Sequence, residues 1–134
     1  DEVRIPRPVY VRDPHLVSSG PAAGLPSLRW ALKLAAHPGP RGDVWGDVHF
    51  ADALAASLEL MGQQVVIDRR ESFERSTSGI DDVVLVIRGL EEVLAQSGRV
   101  NLLWVISHPD MVTERELRTF DRVFAASRTW ASRV

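Results

Sequence analysis

The chain has 134 residues, 45% hydrophobic and 25% charged, with a formal charge of −2 and no cysteine. That length and balance fit a single soluble domain with its own core. They exclude disulfides, thiolate catalysis and Cys-bound zinc, and they lack the basic excess that nucleic acids and anionic membranes require. No apolar run approaches the roughly 20 residues needed to span a bilayer, no signal peptide is visible, and the absence of cysteine fits a reducing cytoplasm.

Residues 1–27 carry five of the eight prolines and read as a Pro-rich tail or linker, with Val9-Tyr10-Val11 a candidate edge strand. The domain proper is expected over 28–134. Its first strand candidate is LRWALKL, 28–34, although its Ala and Leu also permit a helix; it contains the only lysine, Lys33, among sixteen basic residues. HPGPRGDVWGD, 37–47, is a loop by its prolines and glycines. From about Asp47 the period changes: Phe50, Leu54, Leu58 and Met61 recur at helical spacing, with Ala51 and Ala55 beside them, and Gly62 is a natural stop. Val65-Val66-Ile67 is a short buried strand. Residues 69–82 are polar and irregular. VVLVI, 83–87, is the clearest strand, and Leu90, Val93 and Leu94 predict a short helix ending at Gly98. Another strand covers 100–106. Thr113 and Glu116 then form a capping box, with Val112 and Leu117 placed as a hydrophobic staple, so a helix runs from about 114 to 121. RVFAA, 122–126, is the last strand, and a further helix is expected from 128. The chain opens on Asp1 and stops at TWASRV, and is read as a piece of a longer protein.

Five largely apolar strands separated by helical segments define an α/β chain with a doubly wound, five-stranded parallel sheet. Right-handed crossovers favour the order 2-1-3-4-5. Ligands in such sheets bind beyond the carboxyl ends of the strands, where the order reverses. Three segments reach that place: the loop into the first helix, Gly42 to His49, which holds Gly46, Asp47 and His49; the Arg88-Gly89 step; and the turn Ser107-His108-Pro109-Asp110.

Each candidate has two readings. Gly46-Asp47 at a helix start suits an anion, or Asp47 simply caps the helix. Its carboxylate would repel a phosphate but accept hydrogen bonds from sugar hydroxyls. His49 is a ligand contact or a packed surface residue. Arg88 binds a ligand or makes a structural ion pair. His108 suits acid–base work or sugar recognition, or bonds a loop carbonyl. Asp110 contacts a ligand or starts the turn. Ser107, His108 and Asp110 lie too close in sequence to face one another as a catalytic triad. The four histidines lack metal-ligand spacing, and neither a dinucleotide fingerprint, a P-loop nor a nucleophile elbow is present.

The stretches WGDVHFADALAASLELMGQQVVID (45–68), DDVVLVIRG (81–89) and VNLLWVISHPDMVTERELRTFDRVFAAS (100–127) together resemble the N-terminal, Rossmann-like domain of GT-B glycosyltransferases. The likeness is to the group 1, family 4-like enzymes and their spore-protein-like bacterial relatives. It implies a two-domain transferase with its active site in the cleft between domains. The N-terminal half would receive the acceptor, and a C-terminal domain would bind the nucleotide-sugar donor. In that family Gly46 and neighbouring N–H groups would approach the donor phosphates. His108 would match the strand-end histidine that touches the transferred sugar, and Arg88-Gly89 would line the acceptor side. Such enzymes generally need neither metal nor other cofactor, because protein groups stabilise the leaving diphosphate. Where many relatives carry a Gly-Gly pair in the first loop, this chain has Gly46 followed by Asp47. The donor-binding half is outside the sequence, so the piece alone is expected to be inactive. The competing expectation is a non-catalytic Rossmann-like binding or regulatory module. An NAD-type oxidoreductase is disfavoured by the missing glycine fingerprint.

Overall fold

The computed structural model describes residues 14–36, 39–43, 46–69, 72, 78–89, 92–107 and 109–126. Five parallel strands, β1 (Arg29–Lys33), β2 (Gln64–Asp68), β3 (Val83–Arg88), β4 (Val100–Val105) and β5 (Arg122–Ala125), form one sheet in the order 2-1-3-4-5. This is the doubly wound arrangement that the apolar runs predict. Register is continuous across the middle: Leu32 of β1 stands opposite Ile67 of β2 and Leu85 of β3, and Leu85 opposite Leu102 of β4. Every residue of β3 is buried, as a central strand covered on both faces requires. The edge strands differ: β2 is mostly half-buried and β5 mostly exposed. Val65, Val66 and Ile67, expected to be buried, are half-covered because only β1 pairs with them.

Side chains alternate between two cores. On one face Leu32, Leu34, Leu85 and Ile87 pack against Val48, Ala51 and Ala55 of the helix α2 (Gly46–Leu60). The sequence pattern places Phe50, Leu54, Leu58 and Met61 at the centre of that contact. Instead, the small side chains Ala51 and Ala55 face the sheet, and Phe50, Leu54 and Leu58 flank the seam half-buried. Small residues let the helix axis approach closely, and bulkier ones then spread to either side. Phe50 meets the Trp104 ring edge-on, with centroids 5.1 Å apart. Met61 lies past the helix end and is exposed.

α2 stops at Gly62, which has φ +75°. The Gly62 amide donates to Glu59 O (2.9 Å) and the Gln63 amide to Leu58 O (3.1 Å), closing a Schellman motif. Residues 14–27, expected as part of a tail, pack on this helix end. Val17 N donates to Leu25 O and Gly24 N to Val17 O. Ser27 Oγ donates to Gly62 O (2.6 Å). A Cβ on Gly62 would stand 2.6 Å from Val17 Cγ1.

The opposite face is built from Val84, Val86, Leu103 and Val105 with Val93 and Phe120. It is covered by the 92–97 segment and by α3 (Glu114–Arg118). The helix expected around Val93 and Leu94 is absent from the described residues 92–98. Asn101 explains why. Its Oδ1 accepts from Gln96 N (2.8 Å) and its Nδ2 donates to Gln96 O (2.7 Å), taking both polar backbone groups that a helix would use. A short helix, α1 (Pro40–Asp43), interrupts the segment expected to be loop at 37–47. The strand expected at 9–11 and the helix expected from 128 lie outside the described residues.

Candidate functional site at the carboxyl edge

The chain leaves β1 towards α2 on one face, and leaves β3 towards Val93 on the other. The strand order reverses between these two neighbours, so the switch point lies between their carboxyl ends. Three predicted segments meet there at one α-carbon. A Cβ on Gly89 would lie 2.6 Å from Asp47 Oδ2 and 3.4 Å from Ser107 Oγ. The first turn of α2 and the second residue after β4 are thus brought together over Gly89, the residue after β3, itself buried. Asp47 is half-buried in the first turn, where a carboxylate also interacts favourably with the helix dipole. Space around Gly46 is open: nothing lies within 4 Å of a Cβ built there.

The other candidates are placed differently. His49 is exposed on α2, and Asp110 is exposed in a single 3₁₀ turn, Pro109–Met111. His108 lies outside the described residues. Arg88 is 3% exposed and faces away from water. Its Nε donates to Glu116 Oε1 (2.6 Å) and a terminal nitrogen reaches Glu116 Oε2 (3.4 Å). The remaining donors hold Gly89 O (2.8 Å) and Met111 O (3.2 Å). Of the two readings open for Arg88, the ion pair is the one formed here.

The sequence pattern places Glu116 in a capping box, and only half of that box forms. Thr113 Oγ1 accepts from Glu116 N (3.2 Å), but the Glu116 carboxylate turns to Arg88. A charge-assisted pair outcompetes a bond to a neutral backbone N–H. At its other end α3 stops at Arg118, short of the expected 121, where the Thr119 amide and Oγ1 both donate to Glu116 O. Val112 and Leu117, the predicted staple, both pack against the Val84–Phe120 cluster.

A second buried pair escaped sequence reasoning. Lys33 Nζ lies 2.9 Å from Asp68 Oδ2, with side chains 0% and 1% exposed. The signal was a lone lysine inside an apolar strand and an aspartate ending the next one. Arg69 then donates to Gly39 O (3.1 Å), tying the loop after β1 to the end of β2.

At its base the site therefore presents a carboxylate and a hydroxyl around a bare α-carbon. Such groups accept hydrogen bonds from hydroxyls. Among the described residues no group of three or more His, Asp or Glu is placed to hold a metal ion, and no helix is long and apolar enough to cross a membrane. No protein-family model, curated protein or solved structure matches the chain.

Proposed function

We propose that the chain is the acceptor-side half of a glycosyltransferase that moves a sugar from a nucleotide-sugar to a hydroxyl-bearing acceptor. The observation that carries this reading is the meeting of Asp47, Gly89 and Ser107 at the switch point of a doubly wound sheet. Three separate segments of the sequence resemblance supply these residues. Asp47 suits the acceptor better than the donor: its carboxylate accepts bonds from sugar hydroxyls and repels a diphosphate. The donor would enter from a C-terminal domain of the same enzyme. His108, next to Ser107 in sequence, is the residue the resemblance assigns to the transferred sugar, Gly46 is the one it assigns to the donor phosphates, and His49 borders the acceptor approach. The reaction would need no metal.

The test is transfer of a labelled sugar by the full-length protein across a panel of nucleotide-sugars. We expect transfer, and its loss in His108→Ala with the melting temperature unchanged. Transfer by the 134-residue piece alone would contradict the two-half reading. Failure of the full-length protein to use or hydrolyse any nucleotide-sugar would favour the non-catalytic binding module.

A further inference from the structure

We propose that Arg88 and Glu116 form the positioning pair of this site, fixing Ser107 over Gly89 and the 3₁₀ turn Pro109–Met111 that follows. The inference rests on the switch point being where ligand binds; the hold on the turn is a separate, structural claim. Both flanks of these described residues are fastened to one residue. At its start, Ile106 N donates to the backbone O of Arg88 (3.1 Å), extending the β3–β4 ladder by one bond. At its end, the Arg88 guanidinium donates to Met111 O (3.2 Å). The same guanidinium holds Gly89 O (2.8 Å), the carbonyl of the residue around which Asp47 and Ser107 gather.

The planar fork of arginine makes this possible. Its Nε edge is spent on Glu116, and the remaining donors diverge to two carbonyls. A lysine at 88 would keep the charge opposite Glu116 and lose that reach. Glu116 in turn gives up half of its own helix cap to face Arg88. The pair is also an uneconomical way to fill a core. Both side chains are almost wholly buried, at 4% and 2% exposed, and apolar residues of similar volume commonly do as well or better for stability. What apolar residues cannot do is hold the Gly89 and Met111 carbonyls. Neither Arg88 nor Glu116 touches reactants in this scheme. They act through the turn that carries Ser107, His108 and Asp110, where misplacement by about 1 Å can cost a hundredfold in rate.

The test compares full-length wild type with the double variant R88M/E116L, and with Arg88→Lys in case the double variant does not fold. Amide hydrogen exchange is read at Val112, whose N donates to Pro109 O (3.1 Å), and along β3 and β4. Sugar transfer is read as kcat and KM separately. We expect the double variant to fold but to melt below wild type, because Gly89 O and Met111 O lose their donor, and in both variants loss of protection at Val112 with strand amides unchanged. In both, kcat should fall by roughly tenfold to a hundredfold while the donor KM stays put. Unchanged protection at Val112 overturns the proposal. So does loss of protection throughout the sheet, which marks a merely structural pair. If no nucleotide-sugar is used at all, the glycosyltransferase reading fails, and the exchange experiment still decides the clamp.

Discussion

Two buried ion pairs stand at the carboxyl edge of the sheet, one on each side of the switch point, and they are built for different tasks. Lys33–Asp68 joins the tips of neighbouring strands β1 and β2, whose residues are already in register as partners. Arg88–Glu116 joins the tip of β3 to α3 and continues to two carbonyls of the site. Both lie on the face away from α2: Lys33 is opposite Val86, and Arg88 follows Val86 by two residues. The ammonium is a compact point charge and suits a partner one strand away. The guanidinium is a fork and suits several partners spread over an arc. Their difference separates a device that specifies strand pairing from one that places a turn.

The largest expected effect comes from breaking the compact pair. Lys33→Met removes the cation 2.9 Å from the buried Asp68 carboxylate and should cost about 3–5 kcal/mol in chemical denaturation. Replacing both partners, K33M/D68L, should return much of that stability, because the cost belongs to a buried charge that has lost its cation rather than to a lost attraction. If the double variant stays as unstable as the single, the pair is contributing net stability and the distinction drawn above fails on that side.

The same contrast explains what was legible in the sequence. Strand order followed from apolar runs, because β3 is buried on both faces, β4 carries apolar side chains on both, and connections of that length cross over in one hand. The meeting of Asp47, Gly89 and Ser107 followed from the order. What escaped was decided by tertiary competition. Glu116 carries a good capping signature, yet its carboxylate leaves the cap for a guanidinium 28 positions earlier in the chain. Lys33 reads as a strand residue, and only the register that sets it beside Asp68 explains how an amine can be buried there. The 92–97 segment has helical apolar spacing, and Asn101, beyond its end, claims its backbone. In the first two cases local pattern lost to a polar partner 28 or 35 positions away, which no window of residues displays; Asn101 is only five positions from Gln96, but its side chain has that role only once β4 fixes its direction.

Between the two pairs lies Gly89, and a smaller effect tests whether Asp47 really occupies its open side. Gly89→Ala puts a methyl 2.6 Å from Asp47 Oδ2, and this overpacking should cost about 1–3 kcal/mol. Asp47→Ala in the same protein should restore most of the loss, a coupling that a double-mutant cycle measures directly. Additive effects would mean that the glycine is needed for some other reason, and that Asp47 does not cover it.

The smallest effect is expected two residues from Glu116 on the same short helix. Glu114 Oε2 lies 3.4 Å from the Arg118 guanidinium at (i, i+4), but the side chains are 85% and 79% exposed. Water and salt screen this pair, and holding two long side chains together costs entropy, so such pairs contribute only about 0.3–0.5 kcal/mol. The first-turn position of Glu114 adds a further few tenths through the helix dipole. Glu114→Ala should therefore lower stability by less than about 1 kcal/mol, and raising the salt concentration should shrink the difference further. Glu116→Ala removes the same type of side chain from the same helix but strands the Arg88 guanidinium in the core, so the two alanine variants differ only in where the charge was. A loss at Glu114 as large as that at Glu116 would show that α3 depends on its carboxylates for intrinsic helix stability, and the buried clamp would then have no special claim on the turn it holds.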